Sequence, residues 1–227
     1  MDELEALKKT AWNVPGDIAT NLFFRPLSIR ITRTLSKTSV TPTQITLFSF
    51  GLRIIGSALF LLAHYWLSVI ATVLLYFAQV LDCVDGEVSR VKKMSSRQGG
   101  LIDYFLDRLA DFVVYLSVAI GLYLVGRQDL VVMVALFVIA ANSLMTDIGR
   151  KVDDAKQRVS FDYSEYKPSW KSYLTYGGPT SVIILLVAAV LDRIFWGLVV
   201  IGVCSFLFAI GRFSEAYVSL RDPQREV

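Results

Sequence analysis

The chain has 227 residues, 54% of them apolar, and a mean hydropathy of +0.53. That composition excludes an ordinary soluble domain and reads as a polytopic membrane protein built as one compact domain. The net charge of +3 is small and gives no reason to expect a nucleic-acid partner, and Cys83 and Cys204, both in apolar runs, suggest neither a disulfide framework nor a thiolate metal site.

The first 40 residues alternate apolar positions (Leu4, Leu7, Trp12, Leu22 to Phe24, Ile29, Ile31, Leu35) with basic ones (Arg25, Arg30, Arg33, Lys37). This pattern predicts one or two amphipathic helices, broken at Pro15-Gly16, as a cytoplasmic juxtamembrane segment over residues 1–40. Two seats are open to it: the anionic face of the membrane, or the protein's own membrane domain. The N-terminus lacks the apolar core of a secretory signal, so the first span is expected to direct insertion.

Thr41-Pro42 opens that span, roughly Thr43 to Ala63, with Pro in the helix-starting position. Thr46, Ser49, Arg53 and Gly56 share one face, and Arg53 lies about 15 Å below the surface at 1.5 Å rise per residue. Two roles are open to Arg53: lining a cavity, where it joins the acceptor-binding candidates, or pairing with a buried carboxylate. A second span runs from about Leu67 into Asp82 and continues as helix to Val91. The basic loop that follows, with Arg90, Lys92, Lys93 and Arg97, is cytoplasmic by the positive-inside rule.

Further spans are predicted at about Leu101 to Val125, Leu130 to Ile148, Gly177 to Val190 and Trp196 to Ile210. The polar segment between the fourth and fifth, with Arg150 and Lys151, and the end of the sixth, with Arg212, are also placed inside. The fold class expected is an all-α integral membrane protein of six transmembrane helices with an N-terminal amphipathic helix and both termini cytoplasmic. Its divisions are residues 1–40, a membrane domain over 41–217, and a polar tail over 218–227.

Carboxylates stand where hydrocarbon belongs. Asp82 and Asp85 end the second span; Asp103, Asp107 and Asp111 begin the third. Ionisable groups inside spanning helices are costly enough to be functional by default. Spacings of three and four put Asp82, Asp85 and Ser89 on one helical face, and Asp103, Asp107 and Asp111 on another. Two antiparallel helices would bring these faces together, and four like charges a few ångströms apart call for a strong counter-charge. Carboxylate oxygens suit Mg²⁺, Mn²⁺ or Ca²⁺, and four carboxylates have the capacity for two ions.

The run Asp82-x-x-Asp85-Gly86-x-x-Ser89-Arg90, followed at fixed intervals by Gly99, Asp103 and Asp107, resembles the signature of the CDP-alcohol phosphotransferase family, D-x-x-D-G-x-x-A-R-(x8)-G-(x3)-D-(x3)-D. It departs at one position, Ser89 in place of Ala. The resemblance implies transfer of a phosphoalcohol group from a CDP-linked donor to an acceptor alcohol, with release of CMP and dependence on two divalent cations, Mg²⁺ or Mn²⁺. It implies that Asp82, Asp85 and Asp103 hold metal, and that Asp107 completes a second metal site and takes the acceptor's proton. It assigns Asp82, Asp85, Gly86, Ser89, Arg90 and Gly99 to the CDP side, and it implies a homodimer in contact with membrane lipids. Gly86 is expected to let a nucleotide lie against the helix, and Arg90 to bind diphosphate oxygens.

For a phosphorylated polyol acceptor, Arg150, Lys151, Arg212 and Arg53 are the candidate binding residues. The phrases LDCVDGEVSR and FLDRLAD look similar to the inositol-phosphate-using branch. CDP-diacylglycerol and soluble CDP-inositol are both open as donors. A reading of another class, a cation-handling transporter, would also explain intramembrane acids, but the acids form a one-sided cluster and no internal repeat accompanies them.

Overall fold

The computed structural model describes residues 3–12, 16–126, 128–157 and 176–221. Its elements are α1 (Glu3–Ala11), a π-helical turn (Thr20–Phe24), α2 (Arg25–Leu35), α3 (Pro42–Phe60), α4 (Tyr65–Val91), α5 (Arg97–Leu124), α6 (Gln128–Gln157), α7 (Gly178–Val190) and α8 (Ile194–Arg221). No strand occurs among the described residues. Pro15 and residues 158–175 lie outside them, so the expected break at Pro15 and most of the polar segment after α6 do too.

Each predicted apolar run is a helix. The start of α3 follows from its first four residues: Thr41 Oγ1 accepts from the Gln44 amide, Gln44 Oε1 accepts from the Thr41 amide, and Pro42 needs no amide partner there. Against an expectation of six spans, four helices among the described residues meet the length and hydropathy of one: α3, α4, residues Leu130–Ile148 of α6 and Ile194–Ser214 of α8. Helix α5 is 28 residues long but carries Asp103, Asp107, Arg108 and Asp111, and α7 has 13 residues. Large apolar side chains point outward from the bundle, among them Phe48, Ile55, Phe105, Met133, Leu136 and Leu207. An exposed apolar girdle of this kind suits lipid as solvent.

Helix α3 packs on α4 and α5, α4 also on α7, and α6 on α8 and α5. The main core joins Phe60 of α3, Leu75 of α4, Val114 and Val118 of α5, Val138 of α6, Leu185 of α7, and Leu198 and Ile201 of α8. At Gly121 of α5 the Phe60 carbonyl lies so close that a Cβ would collide with it. Only glycine lets α5 approach the end of α3 this closely.

The N-terminal segment takes the second of its two possible seats, against the protein. Phe24, Ile29, Ser28 and Thr32 are buried, and Phe24 packs with Ile45, Val80, Val84 and Val88 of α3 and α4. Tyr76 Oη donates to the Phe23 carbonyl at 2.8 Å, and Lys92 Nζ donates to the Thr38 and Val40 carbonyls, both at 2.7 Å. Its outward face keeps Ile18, Leu22 and Phe23 exposed.

Candidate active site

Helices α4 and α5 are antiparallel neighbours in sequence, joined by residues 92–96. The end of α4 is a Schellman turn: the Met94 amide bonds the Ser89 carbonyl at 2.9 Å, the Lys93 amide bonds the Arg90 carbonyl at 3.3 Å, and Lys93 sits in the left-handed region at φ 56°. Ser96 then caps α5, its Oγ accepting from the Gly99 amide at 3.0 Å. A short link thus sets the two acidic faces opposite each other.

Asp82, Asp85 and Asp103 each offer a carboxylate oxygen, and the three oxygens lie within 4.8 Å of one another. Oδ1 of Asp103 is buried with no hydrogen-bond partner among the described residues. Three hard oxygen ligands this close, one of them unsatisfied, fit a divalent cation by ligand type and by charge. Asp85 is otherwise held by Thr46, whose Oγ1 donates to Oδ2 at 2.6 Å.

Asp107 is not in that trio. Arg53 reaches across from α3 and pairs with it: Nη1 donates to Asp107 Oδ1 at 2.7 Å and Nη2 to Asp82 Oδ1 at 3.2 Å. Gln79 Nε2 supports Asp82 Oδ2 at 2.8 Å. Of the two roles open to Arg53, ion pairing is realised, and with two carboxylates at once. The face predicted for α3 is the one that meets α4, since Ser49 Oγ donates to the Ala78 carbonyl at 2.9 Å and Gly56 lies against the Ala71 carbonyl.

The remaining motif positions make contacts with the protein's own side chains. The space above Gly86 holds the guanidinium of Arg90, whose Nη1 would lie 3.2 Å from a Cβ at that position. Ser89 uses its extra hydroxyl to reach Ser95 Oγ at 3.0 Å, tying α4 to the link. A Cβ at Gly99 would meet only the capping Ser96 Oγ, at 3.0 Å, and no neighbouring helix. Asp111, a turn beyond Asp107, pairs with Arg108 Nη2 at 3.1 Å and accepts from Asn142 Nδ2 at 3.1 Å.

Of the acceptor candidates, Arg150 and Lys151 lie in the last part of α6, with side chains outside the described residues, and Arg212 is on α8. The sequence pattern gives Glu87 no role and marks Trp12 only as an apolar position. Glu87 is 2% exposed, and its carboxylate accepts from Trp12, Ser28 and Thr32. A cavity of about 240 Å³ lined by Tyr65, Asp192, Arg193 and Trp196 lies at the opposite ends of α4 and α5, remote from the aspartates.

An all-helical bundle with long apolar helices and a carboxylate trio drawn from α4 and α5 has the character of a membrane-type protein with a site that could hold a divalent cation. The family model for CDP-alcohol phosphatidyltransferase matches residues 39–208, and the chain belongs to that family. It is 32% identical over 92 residues to the archaetidylinositol phosphate synthase of Pyrococcus horikoshii, a match covering 40% of this chain and 47% of that protein. It is 35% identical over 113 residues to a bifunctional IPC transferase and DIPP synthase of Archaeoglobus fulgidus, covering 50% of this chain and 21% of the relative. The matched segment thus spans less than half the length of either relative. The fold is that of the crystal structure of Mycobacterium tuberculosis phosphatidylinositol phosphate synthase with CDP-DAG bound, at a TM-score of 0.65 and 18% identity over 85% of this chain and 94% of that one.

Proposed function

We propose that the chain transfers a phosphoalcohol group, of phosphatidyl type, from a CDP-linked lipid donor to the hydroxyl of an acceptor alcohol and releases CMP. The convergence of Asp82, Asp85 and Asp103, with an unsatisfied Asp103 oxygen, carries this reading. A bound pair of divalent cations, Mg²⁺ or Mn²⁺, supplies neutralisation of the donor diphosphate and stabilisation of the entering and leaving oxygens. Asp82, Asp85 and Asp103 are the residues to hold it, with Asp107 completing the second position.

Asp107 takes the acceptor's proton as the new oxygen–phosphorus bond forms and the bond to CMP breaks. Arg53 holds Oδ1 of Asp107 and so fixes the direction in which Oδ2 faces. Arg90 keeps a planar fork for the diphosphate, and Gly86, Ser89 and Gly99 form the rest of the CDP side. Arg150, Lys151 and Arg212 are the candidates for binding a phosphorylated acceptor.

The names of the relatives favour an inositol phosphate acceptor. The second relative's name supports a further reading with the same residues, in which soluble CDP-inositol and inositol phosphate are joined. We read α3 to α8 as six membrane-crossing helices, with the N-terminal segment, the α4–α5 link and the active site all on the cytoplasmic side, and the chain as a homodimer among membrane lipids. The segment 1–40, the membrane domain 41–217 and the tail 218–227 are the corresponding divisions.

The test is CMP release by purified protein with Mg²⁺ or Mn²⁺, offering CDP-diacylglycerol or CDP-inositol against inositol phosphate, glycerol phosphate, serine and inositol. Metal-dependent release with one pair fixes the substrates. No release with any pair, together with no metal-dependent CMP binding, overturns the reading in favour of cation handling.

A further inference from the structure

Glu87 is a buried carboxylate for which the proposed chemistry has no use, although it lies two residues from Asp85. It faces away from the aspartates, toward the N-terminal segment. Oε1 accepts from Trp12 Nε1 at 3.0 Å and from Ser28 Oγ at 2.7 Å, and Oε2 accepts from Thr32 Oγ1 at 2.7 Å. Three donors from two separate parts of the first 35 residues therefore converge on one side chain of α4. A second tie lies one turn further on, where Arg90 Nε donates to the carbonyl of Ala11 at 2.8 Å. Ala11 is fully buried at the end of α1, beside Trp12, whose ring carries Lys8 and Arg25 at 5.3 and 5.6 Å from its centroid.

The physical consequence concerns Arg90. Its Nε is committed to Ala11, so the plane of the guanidinium is set by the position of α1, and the two Nη groups are turned over Gly86. A free arginine at a helix end samples many rotamers, and ordering it on ligand binding costs conformational entropy. Here the ordering is done by the fold. A buried carboxylate is a poor choice for stability alone, since an apolar side chain of similar volume serves as well or better, but a fully satisfied polar network selects one arrangement among packings of similar energy.

We propose that Glu87 is a positioning residue for the donor site: by anchoring Trp12, Ser28 and Thr32 it seats α1 in the one register that aims the Arg90 fork over Gly86, toward the diphosphate of a CDP-linked donor. The inference rests on the function proposed above and assigns the N-terminal segment a part in donor binding, beyond covering the apolar flank of α4.

The experiment compares the full chain with Trp12→Phe, Glu87→Ala and Glu87→Gln, reading four quantities: hydrogen exchange across α1, affinity for Mn²⁺ alone, affinity for CMP with Mn²⁺, and kcat and KM for the CDP donor. Trp12→Phe keeps the apolar ring and loses one donor, so it tests the tie if Glu87→Ala fails to fold. Both are expected to raise exchange in α1 and to raise the donor KM and the CMP dissociation constant about tenfold, with kcat within about twofold and Mn²⁺ affinity unchanged. Glu87→Gln is expected to recover most of the donor affinity, because its carbonyl accepts from Trp12 and Ser28 while its amide donates to the Thr32 hydroxyl.

Faster exchange in α1 with an unaltered donor KM overturns the proposal and leaves the segment a cap. Parallel loss of Mn²⁺ and CMP affinity in Trp12→Phe also overturns it, since the effect is then general. If the unaltered protein itself binds no CMP with Mn²⁺, the parent reading falls and this proposal with it. That outcome is distinct from failure of the proposal alone, in which the unaltered protein and the variants bind CMP equally.

Discussion

Arg53 of α3 places its two Nη groups on different carboxylates of different helices, Asp107 of α5 at 2.7 Å and Asp82 of α4 at 3.2 Å. It is a cation that the acidic cluster carries in its own sequence, set among an excess of acidic groups. Arg53→Ala leaves Asp82, Asp85, Asp103 and Asp107 facing one another without it. Removing one partner of a fully buried pair costs about 3–5 kcal/mol, and the partial exposure of Asp107 lowers that figure. Thermal unfolding in detergent with a chelator is expected to show the loss, and added Mn²⁺ is expected to recover more stability in the variant than in the unaltered protein. Equal recovery in both would show that Arg53 does not balance this charge.

Asp107→Asn keeps an oxygen for Arg53 to bind and removes the group proposed to take the proton. Turnover is expected to fall by about 10² to 10⁴, the range for general bases, while CMP binding in the presence of Mn²⁺ persists. Asp82→Asn is expected to lose metal affinity as well, because Asp82 belongs to the trio. A purified Asp107→Asn protein with a normal rate removes Asp107 from the base role.

Divalent cations are expected to stabilise the folded chain, because the trio exists only when α4 and α5 are together. At a metal concentration one hundred times the dissociation constant the gain is about 2.7 kcal/mol. A thermal shift with Mg²⁺ or Mn²⁺, absent in Asp103→Asn, is the check. A shift retained in full by Asp103→Asn would place the ion elsewhere.

Gly121→Ala is expected to destabilise the bundle, since its Cβ would run into the Phe60 carbonyl, a backbone atom that cannot rotate away. Overpacking costs about 1–3 kcal/mol, and more when the obstacle is backbone. Thermal unfolding measures it. Gly51→Ala, with nothing within 4 Å of the added atom, is the control expected to be neutral or mildly stabilising.

Arg150→Ala and Arg212→Ala are expected to raise the apparent KM for phosphorylated acceptors only, leaving the donor KM and the rate with unphosphorylated alcohols unchanged. Unchanged constants for every acceptor would reduce the two to membrane-surface anchors.

The sequence by itself determined the helices and the face on which each acid stands. Capping at Thr41-Pro42, the apolar runs and three-and-four spacing act within a few residues, so α3, α4, α5 and α7 lie close to their predicted limits, whereas α6 and α8 run on past theirs to Gln157 and Arg221, and Asp82, Asp85 and Asp103 meet as helical periodicity allows. The tertiary structure decided which groups neutralise and orient those acids. Arg53 and Asp107 are 54 residues apart, and Trp12 and Glu87 are 75 apart. No local pattern marks such pairs: Glu87 reads in sequence as a polar residue near a basic loop, and Gly86 as open space for a nucleotide. Only the docking of α1 and α2 buries the one and lays Arg90 over the other. Periodicity is a property of one helix, whereas burial and pairing belong to the crossing of several.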